Sequence, residues 1–168
     1  MSKRVIAFGL DPDEIDKAIK ELERFKRDFI TACNELLKQL GALATDTAKS
    51  VLVFDSAIFT AQLYDSLGAG SRFDAQTRTA ILRTDVPYAA YVEFGTGIVG
   101  DGDHPDAGTV GWKYDVNGHG EGGWYYRNDR DGQVHWTQGE PAKPFMYSAF
   151  ARVRSDAPRL TATIFAKL

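Results

Sequence analysis

An α+β fold follows from three stretches of the 168-residue sequence. Apolar residues recur at helical spacing from Ile15 to Leu43, a second helical stripe starts at Phe145, and Gln76 to Thr84 between them is rich in β-branched residues. Stripes of this period mark amphipathic helices, and β-branching with polar interruptions marks a strand. The expected architecture is a small, mostly antiparallel sheet flanked by a long N-terminal helix and a C-terminal helix. The N-terminal strand and the 76–84 region with its neighbours would make the sheet. At 43% hydrophobic and 26% charged residues, the chain reads as a single domain, 1–168.

Residues Arg4 to Leu10 alternate with period two, which predicts a short first strand. Asp11-Pro12-Asp13-Glu14 then offers an N-cap, a proline for the first helical position and acids for the positive helix end. The stripe that follows is Ile15, Ile19, Leu22, Phe29, Cys33, Leu36, Leu40 and Leu43, interrupted at Lys26 beside Phe25. If it continues to Val53, the rod is about 60 Å long at 1.5 Å per residue. A globule of this length is about 40 Å across, so either the rod breaks or kinks near Gly41, the favoured expectation, or it projects and packs against a neighbouring subunit. Cys33 lies within the stripe and reads as a small buried hydrophobe.

Ile58 to Leu67 forms an amphipathic patch, which Gly68-Ala69-Gly70-Ser71 should end in a loop. Asp85 and Pro87 end the 76–84 strand. Tyr88, Tyr91, Val92 and Phe94 sit at helical spacing after Pro87, with Gly95 and Gly97 as stop signals, so a short helix runs into a loop. The extended loop, 96–140, separates that helix from a second anchor, Pro141-Ala142-Lys143-Pro144-Phe145-Met146. Between Gly95 and Gly139 lie 12 of the 16 glycines, all three tryptophans (Trp112, Trp124, Trp136) and all three histidines. Two hairpins are legible: Trp112–Val116 with Trp124–Asn128 around Asn117–Gly120, and the latter strand turning at Asn128–Gly132 into Gln133–Gln138. After Pro144, the stripe Phe145, Met146, Ala149, Phe150, Val153 should break near Asp156-Ala157-Pro158. A last amphipathic turn, Leu160 to Leu168, follows.

Composition narrows the function classes. A formal charge of −3 argues against a broad nucleic-acid footprint. No apolar run approaches the roughly 20 residues needed to cross a bilayer, and Met1 to Val5 lacks a signal-peptide core, so cytosolic synthesis and folding are expected. The loop's histidines and aspartates invite a metal reading, but no His-Glu-x-x-His, cysteine pair or calcium-loop pattern is present. Gly68 to Arg72 lacks the Gly-Lys-Ser/Thr of a phosphate loop, and no Gly-x-Ser-x-Gly elbow occurs. The loop aromatics could stack on carbohydrate or bases. A metal-dependent hydrolase or carbohydrate-binding module using this loop is the alternative to a protein-interaction surface.

Two words, Tyr-Ala-x-Tyr-Val-Glu-Phe-Gly-Thr-Gly at Tyr88–Gly97 and Pro-Ala-x-Pro-Phe-Met at Pro141–Met146, carry a resemblance to a known family. It is the head-tail joining, or tail-completion, proteins of the neck of long-tailed double-stranded DNA bacteriophages. Thr60-Ala61-Gln62-Leu63-Tyr64-Asp65-Ser66-Leu67 is similar to a third family segment, with Ala61 where that segment has glycine and Leu67 where it has isoleucine. The resemblance implies a structural virion protein, assembled in the host bacterial cytoplasm, that forms a homo-oligomeric ring around the DNA channel. Its implied partners are phage proteins on the head connector or portal side and on the tail tube or tail terminator side. Catalysis, cofactor, metal, membrane and sequence-specific nucleic acid are not implied. The assembly residues on this reading are Tyr88, Tyr91, Glu93, Phe94, Gly95, Thr96, Gly97, Trp112, Trp124, Trp136, Pro141, Pro144, Phe145 and Met146. Glu93 is expected to pair with Lys143 or Arg72, or to face a subunit boundary.

Overall fold

The computed structural model describes residues 6–54, 61–115, 117–128 and 131–168. Its first element is one unbroken helix, α1 (Pro12–Phe54), about 64 Å long at 1.5 Å per residue. Asp11 starts it as expected: its carboxylate accepts the Asp13 amide at 2.9 Å and its carbonyl the Ile15 amide at 3.0 Å. The expected break at Gly41 is absent. Glycine costs a helix about 1 kcal/mol, but here it serves a close approach, since a Cβ at this position would sit 3.2 Å from the Ala80 Cβ.

The expected first strand is not formed by residues 6–10, and Arg4 and Val5 lie outside the described residues. The Gly9 amide donates to the Glu14 carboxylate at 2.6 Å, and Ile6 to Gly9 lie along Glu14, Lys17, Ala18 and Glu21 on the first turns of α1. Five alternating residues cannot distinguish a strand from an extended chain laid on a helix.

After residues 55–60, where the start of the expected 58–67 patch falls outside the described residues, α2 (Ala61–Gly70) buries Leu63 and Leu67. It runs through the glycines that were expected to end it. A Cβ on Gly70 would overlap the Arg83 carbonyl, so this glycine also marks a close approach and not a loop. Strands β1 (Arg72–Asp74) and β2 (Thr79–Ile81) pair antiparallel, Phe73 opposite Ala80, and lie against α1. The expected 76–84 strand is shortened because residues 76–78 are the turn: Asp74 Oδ1 accepts the amides of Gln76 and Thr77.

Helix α3 (Ala89–Phe94) ends where Gly95 donates its amide to the Tyr91 carbonyl at 2.9 Å. Two single-turn helices follow, α4 (Gly97–Gly100) and α5 (Ala107–Val110), then a 3₁₀ turn at Gly120–Gly122. Of the two expected hairpins, the second forms: β3 (Trp124–Arg127) pairs with β4 (Val134–Thr137), with Tyr125 opposite Trp136 and Tyr126 opposite His135. The first does not form among the described residues, because residues 112–114 turn back to the end of α3. β5 (Gly139–Glu140) bridges antiparallel to Thr96 and Gly97 and so joins the two ends of the loop.

Helix α6 (Phe145–Phe165) is continuous through Pro158, contrary to the expected interruption. Pro158 is exposed, so water can satisfy the carbonyl that lacks its amide. Asp156 links Arg152 (2.7 Å) and Arg159 (3.6 Å) across that turn. α6 lies antiparallel along α1: Phe145 and Ala149 join Ala48 and Leu52 at one end, and Phe165 meets Phe29 edge-on, centroids 5.4 Å apart, at the other. The buried core gathers Ala48, Leu52, Leu63, Leu67, Val86, Ala89, Phe145 and Ala149, where the second half of α1, α2, α3 and the start of α6 converge.

Candidate functional site

The two anchors, some 50 residues apart in the chain, meet in one buried clamp. A helix leaves its first amides without partners. At the start of α6, Pro144 has no side chain to accept them. Glu93, from the last turn of α3, supplies the acceptor. Its Oε2 accepts the Met146 amide at 2.8 Å and its Oε1 the Tyr147 amide at 2.9 Å. Glu93 is only 6% exposed, and its negative charge lies at the positive end of the α6 dipole. The Lys143 amide donates to the Val92 carbonyl at 2.8 Å, which sets the approach of the two elements.

His104 completes the clamp. Its Nδ1 accepts the Asp106 amide at 3.0 Å, so the proton of the neutral ring sits on Nε2, which donates to Glu93 Oε1 at 3.1 Å. The buried ring packs against Phe94 (centroids 4.3 Å) and Tyr147 (5.6 Å). Glu93 thus makes neither of the expected pairs with Lys143 and Arg72. Its partners are two backbone amides and an imidazole, none of which a search for opposite charges would find.

Beside it, Trp112 stacks on Phe94 (5.1 Å), meets Tyr91 edge-on (5.5 Å) and donates Nε1–H to the Gly95 carbonyl at 3.0 Å. The Gly97 amide donates to the Tyr114 carbonyl at 2.7 Å, and Thr96 Oγ1 accepts the Glu140 amide at 3.1 Å. Gly97 (φ +60°) and Gly139 (φ +116°) face one another across the bridge; a Cβ on either would overlap the other strand's backbone. Both requirements, a positive φ and no Cβ, select glycine.

The expected site residues therefore divide. Tyr88, Tyr91, Glu93, Phe94, Gly95, Thr96, Gly97, Trp112, Pro141, Pro144, Phe145 and Met146 form or adjoin the clamp, with Phe145 in the core. Trp124 and Trp136 stand on the β3–β4 hairpin. Trp124 stacks on His119 (4.6 Å), while Trp136 is half-exposed and donates to the Gly122 carbonyl at 3.2 Å. The hairpin leans toward α3, and Tyr88, Tyr91, Trp124 and Tyr126 line an open cleft of about 350 Å³. His104 and Tyr147 are the clamp members that sequence reasoning missed. The only sequence signal was His104 two residues before Asp106.

The histidines do not converge. His104 faces Glu93, His119 faces Asp115 at 3.2 Å and His135 faces Asp131 at 2.9 Å. Among the described residues no group of three or more histidine, cysteine or acidic side chains could hold a metal ion. Asp115 and Asp131 organise turns: amides of Gly120 and His119 hold the Asp115 carboxyl below the usual carboxylate range, and the Gln133 amide does the same for Asp131. No family model, curated protein or solved structure matches the chain.

Proposed function

We propose that this chain is a structural protein of a bacteriophage neck, joining head to tail as one subunit of a ring around the DNA channel. The observation that carries this reading is the clamp: the two words that resemble the neck family are the two halves of one buried structure. Between them they mount a hairpin with half-exposed or exposed Tyr125, Val134 and Trp136 at its surface. Apolar groups held out on a rigid base suit docking to other proteins.

The test is electron microscopy of particles made with the hairpin, residues 124–137, replaced by a short Gly-Ser linker. DNA-filled heads and separate tails are expected, while circular dichroism of the purified variant retains the wild-type helix content. Normally joined virions would refute the reading. The replacement stops short of Trp112 and Tyr114 because these belong to the clamp.

The aromatic cleft supports a second reading, a carbohydrate-stacking module. Binding of an oligosaccharide that Trp124→Ala abolishes would favour it over the neck assignment.

A further inference from the structure

The seat that α1 offers α6 is longer than α6. Phe165 ends at Phe29, and the turns of α1 before Phe29 extend about 25 Å beyond it at 1.5 Å per residue. On this overhang Ile19 (48% exposed), Leu22 (54%), Phe25 (36%) and Phe29 (44%) continue the apolar face that α6 covers further along. At about 3.6 residues per turn, Glu21 and Asp28 border one side of this face and Asp16 and Glu23 the other. Lys17, Lys20, Arg24 and Arg27 fall on the opposite side of the helix, leaving Lys26 as the cation within the stripe. An apolar face with acidic borders repels a copy of itself and suits a helix with basic borders.

The same chain carries such a helix. The outer face of α6 presents Phe150 (68% exposed) and Ala151, Pro158 and Ala162, all small or apolar and exposed. By the same geometry Arg154 lies within this strip, between Phe150 and Pro158, Arg159 and Arg152 border it on the far side, and Asp156 is the helix's one acid. The two faces are on different parts of the molecule, so one copy can use both at once.

We propose that the α1 overhang of one copy seats the outer face of α6 of the next copy, a head-to-tail contact made through Ile19, Leu22, Phe25 and Phe29 with acids against arginines. Such a contact is heterologous, and it closes a ring or extends a filament according to its rotation. This deepens the ring-forming reading above and rests on it only for the conclusion that the contact closes.

The test uses the full purified chain in analytical ultracentrifugation and mass photometry across protein and salt concentrations. Concentration-dependent association beyond the dimer, weakened by salt because charges border the contact, is expected. E21K/E23K and R154E/R159E should each weaken association at least tenfold with unchanged circular dichroism. Mixed together, they again offer two complementary pairs, one with the wild-type charges and one with the charges exchanged, and should assemble beyond the dimer as an alternating species. All four changes in one chain should restore longer assembly.

A wild-type chain that stays monomeric at the highest soluble concentration would overturn the proposal. So would reversal variants that each assemble as the wild type does, or a mixture of the two that assembles no further than either variant alone. A monomer that nonetheless enters virions would fail this contact and leave the neck reading standing. Head-to-tail assembly of a chain absent from virions would do the reverse.

Discussion

The two halves of α1 carry the same kind of apolar stripe and meet different fates. From Phe29 to Leu52 the stripe is covered by α6, with α2 and the β1–β2 hairpin packed beside it, and Ala48 and Leu52 are buried. From Ile19 to Phe29 it remains half-open to solvent. Residue type does not explain this, since the exposed half holds the larger side chains. Chain length does: α6 has 21 residues and α1 has 43, so one helix cannot cover the other. Helical spacing therefore reports which face of a helix is apolar, but not what meets it.

The sharpest way to break this comparison is to cut the covered half. Phe145→Ala removes a side chain that is 1% exposed where α1, α2, α3 and α6 converge. It should cost about 3–5 kcal/mol, read as a large loss of midpoint in urea unfolding. A loss under about 1 kcal/mol would place the stabilising core elsewhere. Glu93→Gln keeps the shape of the clamp but puts an amide donor where His104, Met146 and Tyr147 all donate. A cost of about 1–3 kcal/mol is expected, with early loss of amide-exchange protection at Met146 and Tyr147.

The exposed half should behave in the opposite way. Leu22→Ala, tested at concentrations where the chain is monomeric, should shift stability by no more than about 0.5 kcal/mol. A cost like that of Phe145→Ala would mean that the overhang is part of the monomer's own core.

The smallest expected effect is at the hairpin side of the clamp. The Asp115 carboxyl is depressed in the folded chain, so the order it gives the 115–120 turn is present above the ordinary carboxylate pKa of about 3.9 and is lost as pH falls through the lower, folded value. Trp124 fluorescence, sensitive to the stacked His119, should change on acidification in the wild type more than in Asp115→Asn. An equal response would remove Asp115 as the cause.

Much of this architecture was legible in advance because it depends on near neighbours. The period of the Ile15–Leu43 stripe, the Asp11-Pro12 start, the Tyr88–Phe94 helix stopping at Gly95 and the Trp124–Thr137 hairpin all rest on residues within a few positions of one another. The misreadings at Gly41, Gly70 and Pro158 share a cause. Each residue weakens a helix locally, and in each the surroundings outweigh that cost: close approach to Ala80, close approach to Arg83, and an exposed turn spanned by Asp156. The clamp was half legible. Its two words stood out, yet Glu93 binds amides 53 and 54 residues away, and a backbone amide leaves no trace in residue type.

Local pattern by itself thus determined that this chain has two amphipathic helices, a strand within residues 76–84 though not its partner, and a loop held between two proline- and glycine-marked ends. That follows because helix period, capping and turn chemistry act over a few residues. Three dimensions decided that α1 is unbroken, that Glu93 caps α6, and that among the described residues the Ile19–Phe29 part of the apolar stripe stays half-open to solvent. Those outcomes depend on which distant surfaces reach one another and how long each is, and no short window of sequence contains that distance.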